Sequence, residues 1–401
     1  MAMDRREFLQ ASAAALALTQ MPADAPAATN GSSAMAAPSS SGRRKVIYDQ
    51  DNAGPLGTDI QGMLMLLQAD NVDLLGITLV TGDQWLKQEM AYTLRLLEMM
   101  GRTEVPVYAG LEFPMINRKS EALLRYELYG GHRLDPWLGA FNRGNTGPEV
   151  VKPLEPPYGG FAELKPQQEH AVHFIIRTIR ENPGEVHLYV GGPLTNIALA
   201  VRLAPDIVPL TKEVIFMGCG LNIFTSSYNV FFDPEAAKIV LRAPWPKLTL
   251  VTVDIGEEVH IGDDLRPGRK MVEEIAERAA SPIAELFYEH GVKVFRQRPN
   301  FRGFRMPDEM TSAQIIDPSI FTKAEEMYVD ITTSPGPRYG DSRFWDKDWE
   351  AVWRGVRRER TPQWYAGPPP MARLVNVLTG LDHGRFKQLF VDLMTKPIRK
   401  G

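Results

Sequence analysis

The sequence predicts an α/β protein with a mostly parallel central sheet and helices on both faces. Short apolar runs alternate with longer amphipathic segments along the chain, which is typical of strands that alternate with helices in a parallel sheet. The composition of the 401 residues, 44% hydrophobic and 23% charged, is that of a folded globular protein. A disordered, collagen-like or coiled-coil chain is therefore excluded.

Strands are predicted where apolar, β-branched runs occur: residues 45–48, 74–80, 186–190, 213–217, 248–253 and 327–331. Helices are predicted where apolar residues recur every three or four positions: residues 60–69, 85–100, 167–181, 196–203, 234–241 and 271–288. Segments 111–166 and 332–372, rich in Pro, Gly and aromatic residues, are interpreted as insertions. These elements predict one folded domain over residues 43–401.

The first 42 residues have a different character. The run Arg5-Arg6-Glu7-Phe8-Leu9 and the short apolar stretch after it resemble a twin-arginine export signal, although an ordinary amphipathic helix is the alternative. The stretch is shorter than the roughly twenty residues that span a bilayer, so no stable membrane anchor is expected. Residues 22–42 are almost wholly small or polar and cannot bury a core. We therefore expect residues 1–42 to be a signal and disordered linker, read by the twin-arginine export machinery, and the mature protein to be periplasmic or exported.

Charge and cysteine content narrow the function classes. With 45 Lys and Arg against 49 Asp and Glu, the net charge is −4, and no basic surplus exists to bind nucleic acid. Cys219 is the one cysteine of the sequence, so an internal disulfide is excluded and a thiolate zinc site is disfavoured. The composition favours a hard cation held by oxygen ligands.

Three carboxylates, Asp49, Asp51 and Asp59, follow the first predicted strand. Ligands of open α/β sheets bind at the carboxyl ends of strands. Such a cluster repels itself unless a cation lies within it, and oxygen ligands suit Ca²⁺ or Mg²⁺. The alternative is a solvated acidic turn in which Asp59 caps a helix.

Further motifs follow in order: Gly192–Ala200 after a strand, Lys212–Gly220, Asn229–Ala237 and Pro307–Pro318. Together with the acidic cluster they resemble the inosine/uridine-preferring nucleoside hydrolase family over most of residues 45–330. The resemblance implies a Rossmann-like nucleoside hydrolase fold, with residues 43–401 as the catalytic domain. It also implies hydrolysis of the N-glycosidic bond of ribonucleosides, or of a related N-riboside, by a Ca²⁺-bound water that an aspartate activates.

The same resemblance assigns roles to individual residues. Asp51 is implied as the catalytic base. The implied metal ligands are Asp51, Asp59, Asp308 and the backbone carbonyl of Gly191, and the implied ribose contacts are Asp49, Asp83, Asn222, Asn229 and Asp308. A three-residue insertion precedes Asp59, and an alternative alignment places Gln61-Gly62 at the motif's paired aspartates and leaves Asp59 outside it.

Two positions depart from the family pattern. Ser227 stands where a glutamate is usual, and Pro307 stands where a histidine often helps to protonate the departing base. Tyr288, His290, Arg302 and Arg305 lie upstream of Asp308 and are candidates to replace that histidine, although a solvent-facing helix end is the simpler interpretation.

Two alternative functions follow from these departures and from the first motif. One is a nucleoside- or sugar-binding protein of the same fold that has lost turnover. The other is a haloacid-dehalogenase-like phosphatase with Asp49 as nucleophile and Mg²⁺ as the metal, which leaves the later motifs unexplained. A homo-oligomer is expected from the resemblance, with the insertions at 111–166 and 332–372 supplying or blocking contacts.

Overall fold

The computed structural model describes residues 42–130, 137–144, 147, 152–221, 226–257, 268–298, 300–301, 303–349 and 367–400. From Arg43 onward the described residues form one compact unit. No helix within these ranges is long and apolar enough to cross a bilayer. The predicted signal and nearly all of the linker, residues 1–41, lie outside the described residues.

The described residues form a nine-stranded sheet in the order β3-β2-β1-β4-β5-β6-β9-β7-β8. The strands are β1 Arg44–Gln50, β2 Val72–Leu79, β3 Val107–Ala109, β4 Val186–Val190, β5 Glu213–Met217, β6 Leu248–Val251, β7 Lys323–Ile331, β8 Ser342–Asp346 and β9 Arg373–Gly380. Pairing is parallel from β3 through to β9, and β7 runs antiparallel to both β9 and β8. The predicted fold class is confirmed.

Helices cover the sheet on both sides. They are α1 Thr58–Gln68, α2 Leu86–Met99, α3 Lys119–Tyr129, α4 Ala171–Glu181, α5 Thr195–Leu203, α6 Ile207–Leu210, α7 Tyr228–Phe232, α8 Pro234–Arg242, α9 Val253–Glu257, α10 Arg269–Arg278, α11 Ile283–Phe287, α12 Lys293–Gln297, α13 Pro307–Ile316 and α14 His383–Thr395. Short 3₁₀ turns lie at Gly139–Phe141 and Pro318–Ile320, and a π-helical turn lies at Tyr288–Val292.

The chain reverses its direction across the sheet between β1 and β4. From β1 it moves outward to β2 and β3, and then it returns to place β4 on the other side of β1. At such a switch point the loops after the two neighbouring strands separate and leave a crevice at the carboxyl edge. Asp49 of β1 is paired with Val190 of β4, so the acidic cluster of the sequence begins at this crevice.

Two apolar layers hold the helices to the sheet. Side chains of a strand alternate between faces, and accordingly Tyr48 of β1 packs among α1, α13 and α14 while its neighbour Ile47 packs among α4, α5 and α8. Both side chains are fully buried. Because both faces of β1 are covered, its run of apolar residues is continuous, as expected for a buried parallel strand.

The structure differs from the sequence prediction at several elements. Strands β3, β8 and β9 and helices α3, α6, α7, α9, α12, α13 and α14 were not predicted. Helix α3 and strand β8 lie inside the two segments interpreted as insertions. The helix predicted over 271–288 is divided after Arg278, where Pro282 cannot donate a backbone hydrogen bond. The helix predicted from residue 167 begins at Ala171, because the side chain of His170 accepts a hydrogen bond from the amide of Val172 and caps it.

Helix α14 gives a direct test of this packing. Phe390 is fully buried, and its ring centroid lies 6.3 Å from that of Phe287. Replacement of Phe390 by Ala leaves a cavity and is expected to lower the free energy of unfolding by about 3–5 kcal/mol. Leu203→Ala is the control, because Leu203 at the end of α5 is 59% exposed. Urea unfolding followed by circular dichroism measures both, and equal losses in the two variants would contradict the packing described here.

Candidate active site

A cavity of about 170 Å³ opens at the carboxyl edge of the sheet, next to the switch point between β1 and β4. Its lining includes six predicted site residues from five parts of the chain, namely Asp51 and Asp59, Asp83, Gly191, Asn229 and Asp308. Further lining residues are Thr58, Trp137, Ser227, Tyr228, Arg305 and Pro307. The fold therefore brings together positions as distant in sequence as Asp51 and Asp308.

Asp51 lies at the end of β1, with a loop after β2 closed tightly around it. Its Oδ2 accepts a hydrogen bond of 2.8 Å from the backbone amide of Asp83. A Cβ atom at Gly82 would lie only 2.0 Å from that same oxygen, so a residue without a side chain is required there. Glu89 of α2 accepts from the backbone amides of Gly82 and Gln84 and so holds the loop in place.

Asp59 and Asp308 each occupy the second position of a helix, Asp59 in α1 and Asp308 in α13. The two helices pack against each other, and Ser312 of α13 donates a hydrogen bond of 2.8 Å to the carbonyl of Gly62 in α1. Thr58 also joins them, since its hydroxyl donates to Glu309 at 2.5 Å and accepts from the amide of Asp308 at 3.3 Å. The N-terminal ends of both helices favour negative charge at these positions.

Burial dominates the electrostatics of these carboxyl groups. It raises the pKa of Asp83 to about 6 and that of Asp308 to about 7. Burial also raises the pKa values of Asp51 and Asp59 well above their usual range, and the charges of the neighbouring aspartates raise them further. A positive charge placed among the oxygens of these carboxyl groups would stabilise their ionised forms.

Asp49 is fully buried but is not among the described residues that line the cavity. Its Oδ1 accepts hydrogen bonds from the Thr78 hydroxyl at 2.5 Å and from Asn196 Nδ2 at 2.8 Å. Burial raises the pKa of its carboxyl group to about 7. Asn196 belongs to the motif 192–200, so this contact joins the first and second motifs of the sequence in the fold.

Asn229 sits in α7, where its Nδ2 donates to the carbonyl of Gly191 and, at 3.0 Å, to the carbonyl of Met217. These bonds tie together the ends of β4 and β5 and engage the amide hydrogens of Asn229. Ser227 caps α7, because its hydroxyl accepts from the amides of Val230 and Cys219. The serine thus has a structural role at the position where the family pattern has a glutamate.

Several other sequence candidates are placed away from the cavity or outside the described residues. Asn222 and Arg302 lie outside the described residues. The side chain of Gln61 donates to the carbonyl of Leu56 and does not line the cavity, whereas Asp59 does. His290 packs its ring against Tyr158, with centroids 6.1 Å apart, and is likewise not a lining residue among those described.

The donor chemistry of the cavity suits a hard cation, although its carboxylates are not gathered tightly. In the part of the chain that the structure describes, no three acidic, histidine or cysteine side chains are grouped so as to hold a metal ion. Oxygen donors nevertheless surround the cavity, and Oδ2 of Asp308 is buried with no hydrogen-bond partner among the described residues. The residues present therefore fit such an ion by type, provided that their side chains draw together around it.

Sequence reasoning missed several residues that shape the site. Gln50, Thr58, Glu89 and Glu309 are buried or half-buried and contact the carboxylates or the loops that carry them. Gln50 lies between two aspartates at a strand end, and Glu309 follows directly after Asp308, so adjacency in sequence was the available signal. Glu89 offered none, because its contact with Gly82 depends on how α2 packs.

Comparison with known proteins relates this chain to a family. Residues 46–388 match the model of the family described as inosine-uridine preferring nucleoside hydrolase. The chain is 31% identical over 307 residues to the pyrimidine-specific ribonucleoside hydrolase RihB of Escherichia coli O9:H4 (strain HS), a match that covers 74% of this chain and 86% of that protein.

Solved structures show the same architecture. The plant nucleoside hydrolase PpNRh1 superposes with a TM-score of 0.65 at 23% identity, over 88% of this chain and 99% of that chain. The purine-preferring ribonucleoside hydrolase from Gardnerella vaginalis superposes with a TM-score of 0.64 at 20% identity, over 88% and 98% respectively. At these identities the likeness concerns the fold.

Proposed function

Since the chain belongs to the inosine-uridine preferring nucleoside hydrolase family, and is accordingly a hydrolase of N-glycosyl compounds, we propose that it cleaves the N-glycosidic bond of ribonucleosides or of a closely related N-riboside. The observation that carries the proposal is the gathering of Asp51, Asp59, Asp83 and Asp308 around one cavity at the switch point of the sheet. Such a cavity is the expected place for a ligand in an open α/β sheet.

Cleavage of the C1′–N bond builds positive charge on the sugar, so the site must deliver a nucleophile and tolerate a cationic transition state. Asp51 is the proposed base that takes the proton of the attacking water. A base is most effective when its pKa lies near the working pH, and burial moves the pKa of Asp51 in that direction. The surrounding carboxylates favour positive charge in the sugar ring.

Polar groups on either side of Asp51 are proposed to hold the ribose. Asn229 uses its amide hydrogens on two backbone carbonyls, which leaves its amide oxygen to accept from a sugar hydroxyl. Asp83 and Asp308 are the proposed acceptors for other hydroxyls. The ribose contacts implied for Asp49 and Asn222 stay predictions, because Asp49 does not line the cavity and Asn222 lies outside the described residues.

We propose Ca²⁺ as the cofactor, held by Asp51, Asp59, Asp308 and the carbonyl of Gly191. Nucleoside hydrolases are metal-dependent, and the oxygen donors of this cavity agree with a hard cation. When bound, such a cation polarises the oxygen atoms that it contacts and lowers the pKa of water. The buried Oδ2 of Asp308, which has no partner among the described residues, supports this assignment.

The central test is replacement of Asp51 by Asn, which keeps the shape of the side chain and removes the base. Hydrolysis of inosine, uridine and adenosine should fall by at least about 100-fold while nucleoside binding is retained. Release of reducing sugar measures turnover and calorimetry measures binding. Asp70→Asn is the matched control, because the Asp70 side chain is 83% exposed and pairs with Lys396 at the surface.

The wild type is also assayed with a chelator present, and three outcomes of these measurements contradict the proposal. Absence of hydrolysis by the wild-type protein on every nucleoside, together with tight nucleoside binding, favours a binding protein instead. Hydrolysis that a chelator leaves unchanged contradicts the proposed Ca²⁺. Full activity of the Asp51→Asn variant would remove Asp51 from its role as base.

The described residues that line the cavity include no histidine to assist the departing base. Pro307 opens α13 where a histidine is frequent in the family pattern, and proline has no hydrogen to donate. Arg305 is the one basic residue among the described residues that line the cavity. A guanidinium stays protonated, so it stabilises negative charge but does not act as an acid.

We therefore expect turnover to depend strongly on the leaving group. General acid assistance is worth roughly 10²–10⁴-fold, so nitrophenyl riboside should be cleaved faster than inosine by a factor of that order. His290→Ala should change neither rate by much, since His290 is packed against Tyr158 away from the cavity. Equal rates on both substrates, with loss of only the inosine reaction in His290→Ala, would reveal an acid at that position.

Export and assembly are proposed separately. We propose that Arg5 and Arg6 direct the folded protein to the twin-arginine machinery and that the mature chain is periplasmic or exported. Replacement of both by Lys should keep the protein in the cytoplasm of a bacterium that has this machinery, as fractionation and immunoblotting would show; unchanged export would contradict the signal.

A homo-oligomer is also proposed, and a light-scattering mass equal to one mature chain would contradict it.

A further inference from the structure

Gln50 joins two of the proposed metal ligands through a single nitrogen atom. It is the last residue of β1, between Asp49 and Asp51 in the sequence, and its side chain is fully buried. Its Nε2 donates to Oδ1 of Asp59 at 2.8 Å and to Oδ1 of Asp308 at 3.1 Å. One side-chain amide therefore spans the first turns of α1 and α13, which are separated by about 250 residues of sequence.

The contact has the right chemistry for holding two carboxylates together. An amide nitrogen carries two hydrogens, so each carboxylate receives one of them. Without such a donor, two buried carboxylates side by side repel each other and separate or take up protons. The amide uses the Oδ1 atoms of both groups and leaves Oδ2 of Asp308 buried with no partner in the described part of the chain.

The surroundings of Gln50 are shaped to admit its side chain. A Cβ atom at Gly191 would lie 1.8 Å from Oε1 of Gln50, so the glycine at the end of β4 makes room for the amide. Oε1 itself has no hydrogen-bond partner among the described residues. A buried polar atom left unpaired costs free energy, so the bonds that offset the burial of this amide are those of its Nε2 group to the two carboxylates.

We propose that Gln50 is a positioning residue that holds Asp59 and Asp308 side by side and so prepares them to bind the cation. The inference rests on the proposed function, because it concerns the same site. Gln50 does not line the cavity among the described residues, so it acts through the two carboxylates and has no contact with substrate. Partners that orient metal ligands in this way typically account for 10–100-fold in metal affinity.

The test is the variant Gln50→Leu, which removes the donor and keeps similar bulk. Calorimetric titration of the chelator-treated protein with Ca²⁺ should give a dissociation constant about 10–100-fold higher than that of the wild type. In kinetic assays the Ca²⁺ concentration for half-maximal nucleoside hydrolysis should rise in parallel. The loss of hydrolysis relative to the wild type should be smaller at saturating than at limiting Ca²⁺, because the bound cation itself then draws Asp59 and Asp308 together.

Gln68→Leu is the matched control. Gln68 of α1 is also fully buried. Among the described residues its side-chain amide bonds with the C-terminal region, donating to the carbonyl of Leu393 at 3.1 Å and accepting from the amide of Arg399 at 3.0 Å. This variant should lose stability without a change in Ca²⁺ affinity. If Gln50→Leu does not fold, Gln50→Met, which is more flexible, takes its place in the same measurements.

The outcomes separate this inference from the proposed function. Equal Ca²⁺ affinity in the wild type and in Gln50→Leu, or tighter binding by the variant because the amide had competed with the cation, overturns the role of Gln50 and leaves the nucleoside hydrolysis standing. If Gln50→Leu binds Ca²⁺ more weakly but the wild type hydrolyses no nucleoside, the role of Gln50 is supported and the proposed function is overturned. Failure of the wild type to bind Ca²⁺ overturns both the cofactor and this inference.

Discussion

The repulsion among buried carboxylates is the constraint on which the rest of the site depends. Asp51, Asp59, Asp83 and Asp308 line one small cavity, and burial raises the pKa of every one of them. Ionised groups in this position are costly unless donors or cations compensate them. The protein supplies donors from backbone amides, from a side-chain amide and from helix N-termini, and each of these comes from a different part of the fold.

The parallel sheet is what makes that compensation available. The seven neighbouring strands β3, β2, β1, β4, β5, β6 and β9 are parallel, so the loops that follow them meet at one edge, and the switch between β1 and β4 opens a crevice there. Helices α1 and α13 both begin at this edge with an aspartate in their first turn, and they are packed against each other. Their dipoles favour the two carboxylates that the cluster would otherwise drive apart.

The departures from the family pattern have structural explanations of different kinds. Ser227 serves as the cap of α7, the helix that presents Asn229 to the cavity, so the position contributes to the site through the backbone. Pro307 begins α13 with a residue suited to a helix N-terminus, and Asp308 follows it directly. Neither change removes a carboxylate from the lining of the cavity.

Local patterns in the sequence determined the alternation of strands and helices, the acidic run after β1 and the membership of Asp308 in a late motif. Periodicity carries such information because burial on one face repeats with the geometry of the element. Strand β3, with three residues, is too short for a period to register. Strand β8 lies at the edge of the sheet and none of its five residues is fully buried, so it has no apolar run that predicts a strand.

The tertiary structure alone decided which polar side chains meet. Gln50 contacts Asp308 across more than 250 residues of sequence, and Glu89 reaches the loop that holds Asp51 only because α2 packs beside it. The tertiary structure also hydrogen-bonds Asp49 to Thr78 and Asn196, away from the cavity lining, although Asp51, two residues later, lines the cavity. Residue type and spacing specify which polar groups are available at the end of a strand. Which partner each side chain contacts depends on the packing of all the elements around it.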